Sequence, residues 1–259
     1  EVLLDEEIKK LSDLKLVTGI HGETCTGIAQ ALEGISKISK QYDALFMVDA
    51  VTTFSGRNIE IDNWNIDYSY SASQKCLGAP PGLSPAVVSD RALETIRNRK
   101  TKPVSWYLDL ELLCKYWGEE RVYHHTAPVS MLYGINESLR IVMEEGLETR
   151  FERHRINAEA LHAGLQAIGL NAVAPEGSRL EQITPVWIPE GVDDMEVRNM
   201  LLNEFSIELG RGLGDFSGKV WRVGLMGESS KQEYVLTFLS AIESILSRVG
   251  YEVAQGAAV

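Results

Sequence analysis

Ala44-Leu45-Phe46-Met47-Val48-Asp49 and Ser71-Ala72-Ser73-Gln74-Lys75 are the two stretches that decide the fold. The first is apolar throughout and stops on a carboxylate. A strand that is apolar rather than alternating is one covered on both faces, as in a parallel sheet flanked by helices. The second stretch closes a short strand-like run at 67–71 and ends on a lysine. In parallel α/β sheets, ligands bind beyond the carboxyl ends of the strands, and both charged residues fall at such ends.

Working outward, residues 16–20 read as another short strand, running into the polar turn His21-Gly22-Glu23-Thr24. Residues 1–14 read as a helix and its exit. Residues 27–42 read as a helix, with Ile28, Leu32, Ile35 and Ile38 at helical spacing, broken by Asp43. After Lys75 come the turn Gly78-Ala79-Pro80-Pro81-Gly82 and the apolar segment Ala86-Val87-Val88. From Pro128 the character changes. Residues 131–146 predict a long helix closed by a glycine, and 147–168 a second one. A strand at 183–188 follows, then a helix from about Asp193, with Glu196 completing a capping pattern. Residues 221–225 read as a strand. The last helix starts near Ser230 and carries Val235, Phe238, Ile242 and Ile245 on one face.

This order predicts a mainly parallel α/β large domain over 1–145 and a smaller α+β domain over 146–259. The chain opens on Glu1 and enters a strand almost at once, so an N-terminal part of the large domain is expected to lie outside it. The run Gly210-Arg211-Gly212-Leu213-Gly214 lacks the strand-before, helix-after setting of a phosphate loop and reads as a flexible turn near the substrate mouth.

The 259 residues are 44% hydrophobic and 24% charged, ordinary for a soluble globular protein. The net charge of -12 argues against a groove for a phosphate backbone, so nucleic acid is not an expected partner. No apolar run approaches the length of a membrane span. The three cysteines, Cys25, Cys76 and Cys114, lack metal-type spacing, which leads to the expectation of a reducing, cytoplasmic setting and no metal.

The lysine and the aspartate point to one chemistry. A lysine amine forms a Schiff base with an aldehyde cofactor. An aspartate at the end of a buried strand holds a protonated pyridine nitrogen. Pyridoxal 5′-phosphate needs both, on opposite sides of its ring. Each residue also has an ordinary reading: Lys75 as a solvated lysine after a strand, Asp49 as a turn or helix N-cap residue.

Six motifs stand in order along the chain: His21-Gly22-Glu23-Thr24-Cys25-Thr26-Gly27, Val48-Asp49, Ser71-Ala72-Ser73-Gln74-Lys75, Thr101-Lys102-Pro103, Tyr123-His124-His125-Thr126 and Trp221-Arg222-Val223-Gly224. Together they resemble the class V, fold-type-I pyridoxal-phosphate aminotransferases of the alanine–glyoxylate (serine–pyruvate) group, over essentially the whole chain. The resemblance implies fold type I and transamination between a small amino acid, alanine or serine, and a small keto acid, glyoxylate or pyruvate. It implies that Lys75 carries the cofactor and moves the substrate proton, and that Asp49 holds the ring nitrogen. It implies cofactor contacts from Thr24, Ser73 and Gln74. It makes Arg222 the clamp for the substrate carboxylate, against the ordinary reading of a strand arginine in a surface ion pair. It also implies a homodimer in which a loop bearing Tyr123 and Thr126 serves the neighbouring subunit's cofactor phosphate. His124 and His125 read as structural.

Two other readings remain open on sequence. One is a truncated, non-catalytic half that binds the cofactor poorly. The other is a lyase or desulfurase on the same fold, for which Cys76 stands too close to Lys75 to serve as a mobile nucleophile.

Overall fold

The computed structural model describes residues 2–259. In chain order the elements up to residue 145 are α1 (Val2–Ile8), β1 (Leu16–Ile20), β2 (Gly22–Glu23), β3 (Ile28–Ala29), α2 (Glu33–Gln41), β4 (Leu45–Asp49), β5 (Tyr68–Tyr70), β6 (Ala86–Val88), α3 (Asp90–Arg97), α4 (Leu110–Trp117) and α5 (Val129–Glu145). Then follow α6 (Leu147–Ala167), β7 (Ile183–Trp187), α7 (Asp194–Phe205), β8 (Gly210–Arg211), β9 (Val220–Gly224) and α8 (Gln232–Arg248). The expected N-terminal helix is α1, apart from Glu1, which lies outside the described residues.

The large sheet has the order β1-β4-β5-β6. β1, β4 and β5 are parallel, and β6 closes the row antiparallel. The sheet is therefore mixed, with the expected parallel strands at its functional end. Its core holds Val17, Phe46, Val48 and Ala50 from the strands against Leu32 and Ile35. Burying a valine, leucine, isoleucine or phenylalanine there contributes roughly 1.5–3 kcal/mol, which holds Ala44, Phe46 and Val48 inside, while Leu45 and Met47 on the other face are half-buried. A second core gathers Leu161, Leu165, Val186, Val197, Leu201, Trp221 and Val223 with the apolar face of α8. There β7, β9 and β8 form an antiparallel sheet, and Asp193 caps α7 by accepting from Glu196 N at 2.7 Å.

Two elements differ from the sequence reading. The helix expected from residue 27 begins at Glu33, and residues 22–29 form the antiparallel pair β2–β3 instead. The reason lies across the molecule. Gly27 sits at φ +73°, and its carbonyl accepts from Leu180 N at 2.8 Å. Ala29 N donates to Ser178 O at 2.8 Å, and Ile28 bridges Arg179. Backbone groups that a helix would satisfy internally are satisfied here by strand pairing with a distant segment. The second difference is Gly210-Arg211, expected as a flexible turn. It is an edge strand, in register with Arg222 and Trp221 of β9. The helices α3 and α4 were not anticipated; Ser89 caps the first from Ala92 N, and Asp109 caps the second from Glu111 N and Leu112 N.

Candidate active site

The register of the large sheet sets the site. Ile20 pairs with Asp49, and Asp49 with Tyr70, so the ends of β1, β4 and β5 finish level. His21 N donates to Asp49 O at 2.9 Å, and Ala50 N to Tyr70 O at 3.0 Å, which carries the alignment one residue past the strands. Both oxygens of the half-buried Asp49 carboxylate are oriented. Oδ1 accepts from Val51 N at 2.9 Å, and Oδ2 accepts from the Tyr70 hydroxyl at 2.8 Å. The bond to Asp49, together with burial, pushes the Tyr70 phenol up to about 12. A phenol held neutral beside a carboxylate is a fixed donor across the neutral range.

Lys75 lies in the loop that follows β5, and that loop is tied down at three points. Ser71 Oγ donates to Ala50 O at 3.2 Å. Ser73 Oγ donates to Pro80 O at 2.7 Å and accepts from Leu83 N at 3.4 Å. Cys76 Sγ donates to Thr52 O at 3.2 Å. What the pins leave outward is Gln74, exposed, and Lys75, half-buried. Among the described residues the Lys75 ammonium has no ion-pair or hydrogen-bond partner. Ser73, expected as a cofactor contact, differs: it is fully buried, and its hydroxyl is engaged within its own loop. It shapes the turn that presents Lys75.

The hairpin that carries Thr24 lies against the strand pair that carries Arg222. Gly27 packs so tightly on Pro185 that an added Cβ would lie 2.4 Å from its Cδ, and Pro185 is the register partner of Arg222. The hairpin carrying Thr24 thus rests on the strand pair carrying Arg222. Electrostatics report the same proximity at Cys25. Burial and then the Glu23 carboxylate raise its thiol, while the Arg222 cation and a hydrogen bond with Thr24 oppose the rise. Arg222 Nε donates to Arg211 O at 2.8 Å, so one edge of the guanidinium is fixed by the β8 backbone. Among the described residues its two terminal nitrogens have no hydrogen-bond or ion-pair partner, leaving the fork free for a carboxylate. Beside this cluster the Thr26 hydroxyl is buried and, among the described residues, has no hydrogen-bond partner.

Tyr123 and Thr126 are exposed and bonded to each other, Oη to Oγ1 at 3.1 Å. No hydrogen bond joins them to the Lys75–Asp49 group among the described residues. His124 stacks on Trp106 at 4.0 Å and shares a hydrogen bond with His125 between their Nδ1 atoms at 2.9 Å. Both histidines sit in an aromatic cluster with Tyr107 and Tyr116. Cys76, next to Lys75, is buried, and burial pushes its thiol up to about 12. That removes it as a nucleophile at neutral pH. Tyr70 was not among the residues read from sequence. Its signal was the alternation Tyr68-Ser69-Tyr70-Ser71, which sets Tyr70 opposite Asp49.

A carboxylate oriented from two sides, a half-buried unpaired lysine on the next strand's loop, and an open guanidinium fork match what the pyridoxal-phosphate aminotransferase fold needs. The sequence falls in the same class: residues 2–217 match the aminotransferase class-V family model, and the chain belongs to that family. Its members are pyridoxal-phosphate enzymes. The chain is 41% identical over 260 residues to the (S)-ureidoglycine–glyoxylate transaminase of Bacillus subtilis, covering 93% of this chain and 62% of that protein. The crystal structure of the B. subtilis enzyme superposes with a TM-score of 0.95 over 99% of this chain and 66% of that one. An alanine–glyoxylate aminotransferase from Nostoc sp. superposes with a TM-score of 0.90 at 45% identity, over 94% of this chain and 64% of its own. The chain thus spans somewhat under two thirds of the curated relative it matches. Among the described residues no helix is long and apolar enough to cross a membrane.

Proposed function

We propose that this chain is the catalytic core of a transaminase that moves an amine between a small amino acid and a small keto acid of the glyoxylate class. The observation that carries the reading is the Asp49 carboxylate, held by Val51 N and Tyr70 at the strand end beside the Lys75 loop. The residues fit pyridoxal 5′-phosphate by the chemistry of the donor set: an unpaired amine for its aldehyde, an oriented carboxylate for its ring nitrogen, and hydroxyl and amide groups from Thr24 and Gln74. When bound, the cofactor supplies a reversible covalent link to the substrate amine and a ring that accepts electron density from Cα.

Lys75 would hold the cofactor through Nζ, and as a free amine the same atom would accept the proton from substrate Cα. Asp49 would hold the ring nitrogen protonated by charge, and Tyr70 and Val51 N keep that carboxylate from turning away. Arg222 receives the substrate carboxylate on its free fork, with the bidentate geometry that a lysine lacks. Tyr123 and Thr126, exposed and self-paired, serve the cofactor phosphate of a second copy in a homodimer. The two cores support a division near Gly146, with 1–145 and 146–259 as the domains, and the cytoplasm is the proposed location. The relatives named as glyoxylate aminotransferases support the acceptor class. A desulfurase is not favoured, since the thiol beside Lys75 is buried and protonated.

Borohydride reduction of the cofactor-loaded protein, followed by peptide mapping, tests the reading. The pyridoxyl group is expected on Lys75. Its recovery on Lys102, or on no lysine, would overturn the assignment.

A further inference from the structure

The buried face of α6 is polar where it meets the lysine loop. Arg150, Arg153, His154 and Asn157 recur at the spacing that lines one side of a helix. Arg150 is completely buried, and its Nη2 donates to Cys76 O at 2.8 Å, the carbonyl next to Lys75. Its Nη1 donates to Glu145 at 2.5 Å and to Glu228 at 3.1 Å. Arg153 Nη1 donates to Gly227 O at 2.9 Å and Ser230 O at 2.5 Å. His154 Nε2 accepts from Gly227 N at 3.1 Å while its Nδ1 donates to Arg150 O at 2.8 Å, which fixes a neutral ring. Asn157 Nδ2 donates to Ser230 O at 2.9 Å. Gly227 stands at φ +57°, and an added Cβ would lie 2.7 Å from Cys76 O. The turn that follows β9 therefore presses directly on the lysine loop, with Arg150 wedged beside the contact.

We propose that Arg150 is a positioning residue for Lys75: from the second domain it holds the Cys76 carbonyl, and through its helix it fixes the lysine loop relative to the strand that carries Arg222. The proposal rests on the reading of Lys75 as the cofactor lysine. The loop's side-chain ties from Ser71, Ser73 and Cys76 Sγ run to Ala50 O, Pro80 O and Thr52 O, and the Gly227 backbone meets Cys76 from the turn after β9. Arg150 supplies the charged side-chain tie among these, joining the loop to the same turn after β9 and so to the strand that carries the clamp. A hydrogen bond from a charged donor to a buried carbonyl belongs to the stronger class, so its loss opens the loop measurably.

The test compares Arg150→Lys and Arg150→Met with Arg153→Met in the full natural chain loaded with cofactor. Hydrogen exchange reads the amides of Gly78 and Ala79, which bond to Lys75 O and Ser73 O. The Arg150 variants are expected to exchange there about tenfold faster or more. Arg153→Met is expected to act on Ser229 and Ser230 and leave Gly78 and Ala79 near the wild-type rate. In steady-state kinetics, Arg150→Lys lowers kcat while KM for the amino donor stays within about twofold, because the Arg222 clamp is untouched. Unchanged exchange at Gly78 and Ala79 would overturn the proposal. So would equal acceleration throughout the chain, or failure of both Arg150 variants to fold, because each shows a role in general stability. If borohydride places no cofactor on Lys75 of the unaltered protein, the functional reading fails, and the exchange comparison still decides whether Arg150 holds the loop.

Discussion

Replacing Glu145 by glutamine tests the charge cluster where the end of α5, α6 and the turn after β9 meet, without reference to any ligand. Glu145 ends α5, one residue before Gly146. Its carboxylate accepts from Arg153 Nε at 2.5 Å and Nη2 at 3.0 Å, and from Arg150 Nη1 at 2.5 Å. The Arg153 hydrogen bond is the largest cause holding its carboxyl at about 2, down from 4.5. At 1.36 kcal/mol per unit, that difference is worth about 3 kcal/mol of folding stability. The folded value lies below the unfolded one. The stabilisation is therefore fully present above about pH 4.5 and is lost as the pH falls through about 2. Glutamine removes this dependence and leaves Arg150 buried with only the half-exposed Glu228 carboxylate. Breaking a buried pair from one side costs about 3–5 kcal/mol, and the remaining Glu228 contact at 3.1 Å places the expected loss at the lower end. Urea unfolding of both proteins across the acid range measures it. Between about pH 2 and 4.5 the wild type should gain about 3 kcal/mol more than the variant. Glu137, Glu152 and Glu204 are also held low by arginines, but on the exposed surface, where solvent screens such pairs. A variant with the wild-type pH slope would refute the argument.

Asp49→Asn removes the charge that holds the Tyr70 phenol neutral. Tyrosinate absorbance, taken as a difference against Tyr70→Phe, should show the Tyr70 midpoint falling from about 12 toward 10.0; an unmoved midpoint would mean that the two residues are not coupled. Arg222→Lys keeps the charge and loses the fork, so kcat/KM for amino-acid donors should drop by roughly ten- to a hundredfold with cofactor content unchanged. Unaltered kcat/KM for alanine and serine would move the carboxylate site elsewhere. In the natural full-length form, Lys75→Ala mixed with Tyr123→Phe/Thr126→Ala should recover activity on subunit exchange. A mixed dimer contains one site with both the lysine and the loop intact. No recovery despite demonstrated exchange would remove the loop from the partner's site.

The parallel strands and the groups at their ends were legible because two simple signals coincided. The run 44–48 is apolar without alternation, and a carboxylate or a lysine follows each strand at its carboxyl end. Local chemistry also announced α7, through Asp193 and Glu196, and α8, through its apolar spacing. The helices α3 and α4 carried comparable signals in Ser89 and Asp109. Each is only eight residues long, too short for apolar periodicity to stand out. Residues 27–29 misled for the opposite reason. Ile28 fits the helical spacing of Leu32, Ile35 and Ile38, yet its backbone is claimed by Arg179, and no local pattern encodes a partner that far along the chain.

Ser73 and Arg150 show the same limit at the site itself. A serine two residues before the proposed cofactor lysine invites a ligand reading, and only the positions of Pro80 O and Leu83 N reveal that its hydroxyl faces into its own loop. The stripe on α6 is the stronger case. A helix is located in sequence by apolar residues at its buried spacing, but here that spacing carries Arg150, Arg153, His154 and Asn157. Read alone, these residues mark a solvated face. Burying them is favourable only because Cys76 O, Gly227 O, Ser230 O and the Glu145 carboxylate stand where the donors point. Those acceptors come from three separate parts of the chain. The candidate site residues were therefore readable from strand ends, while the side chains that brace their loop became visible only once α6 and the turn after β9 were packed against it.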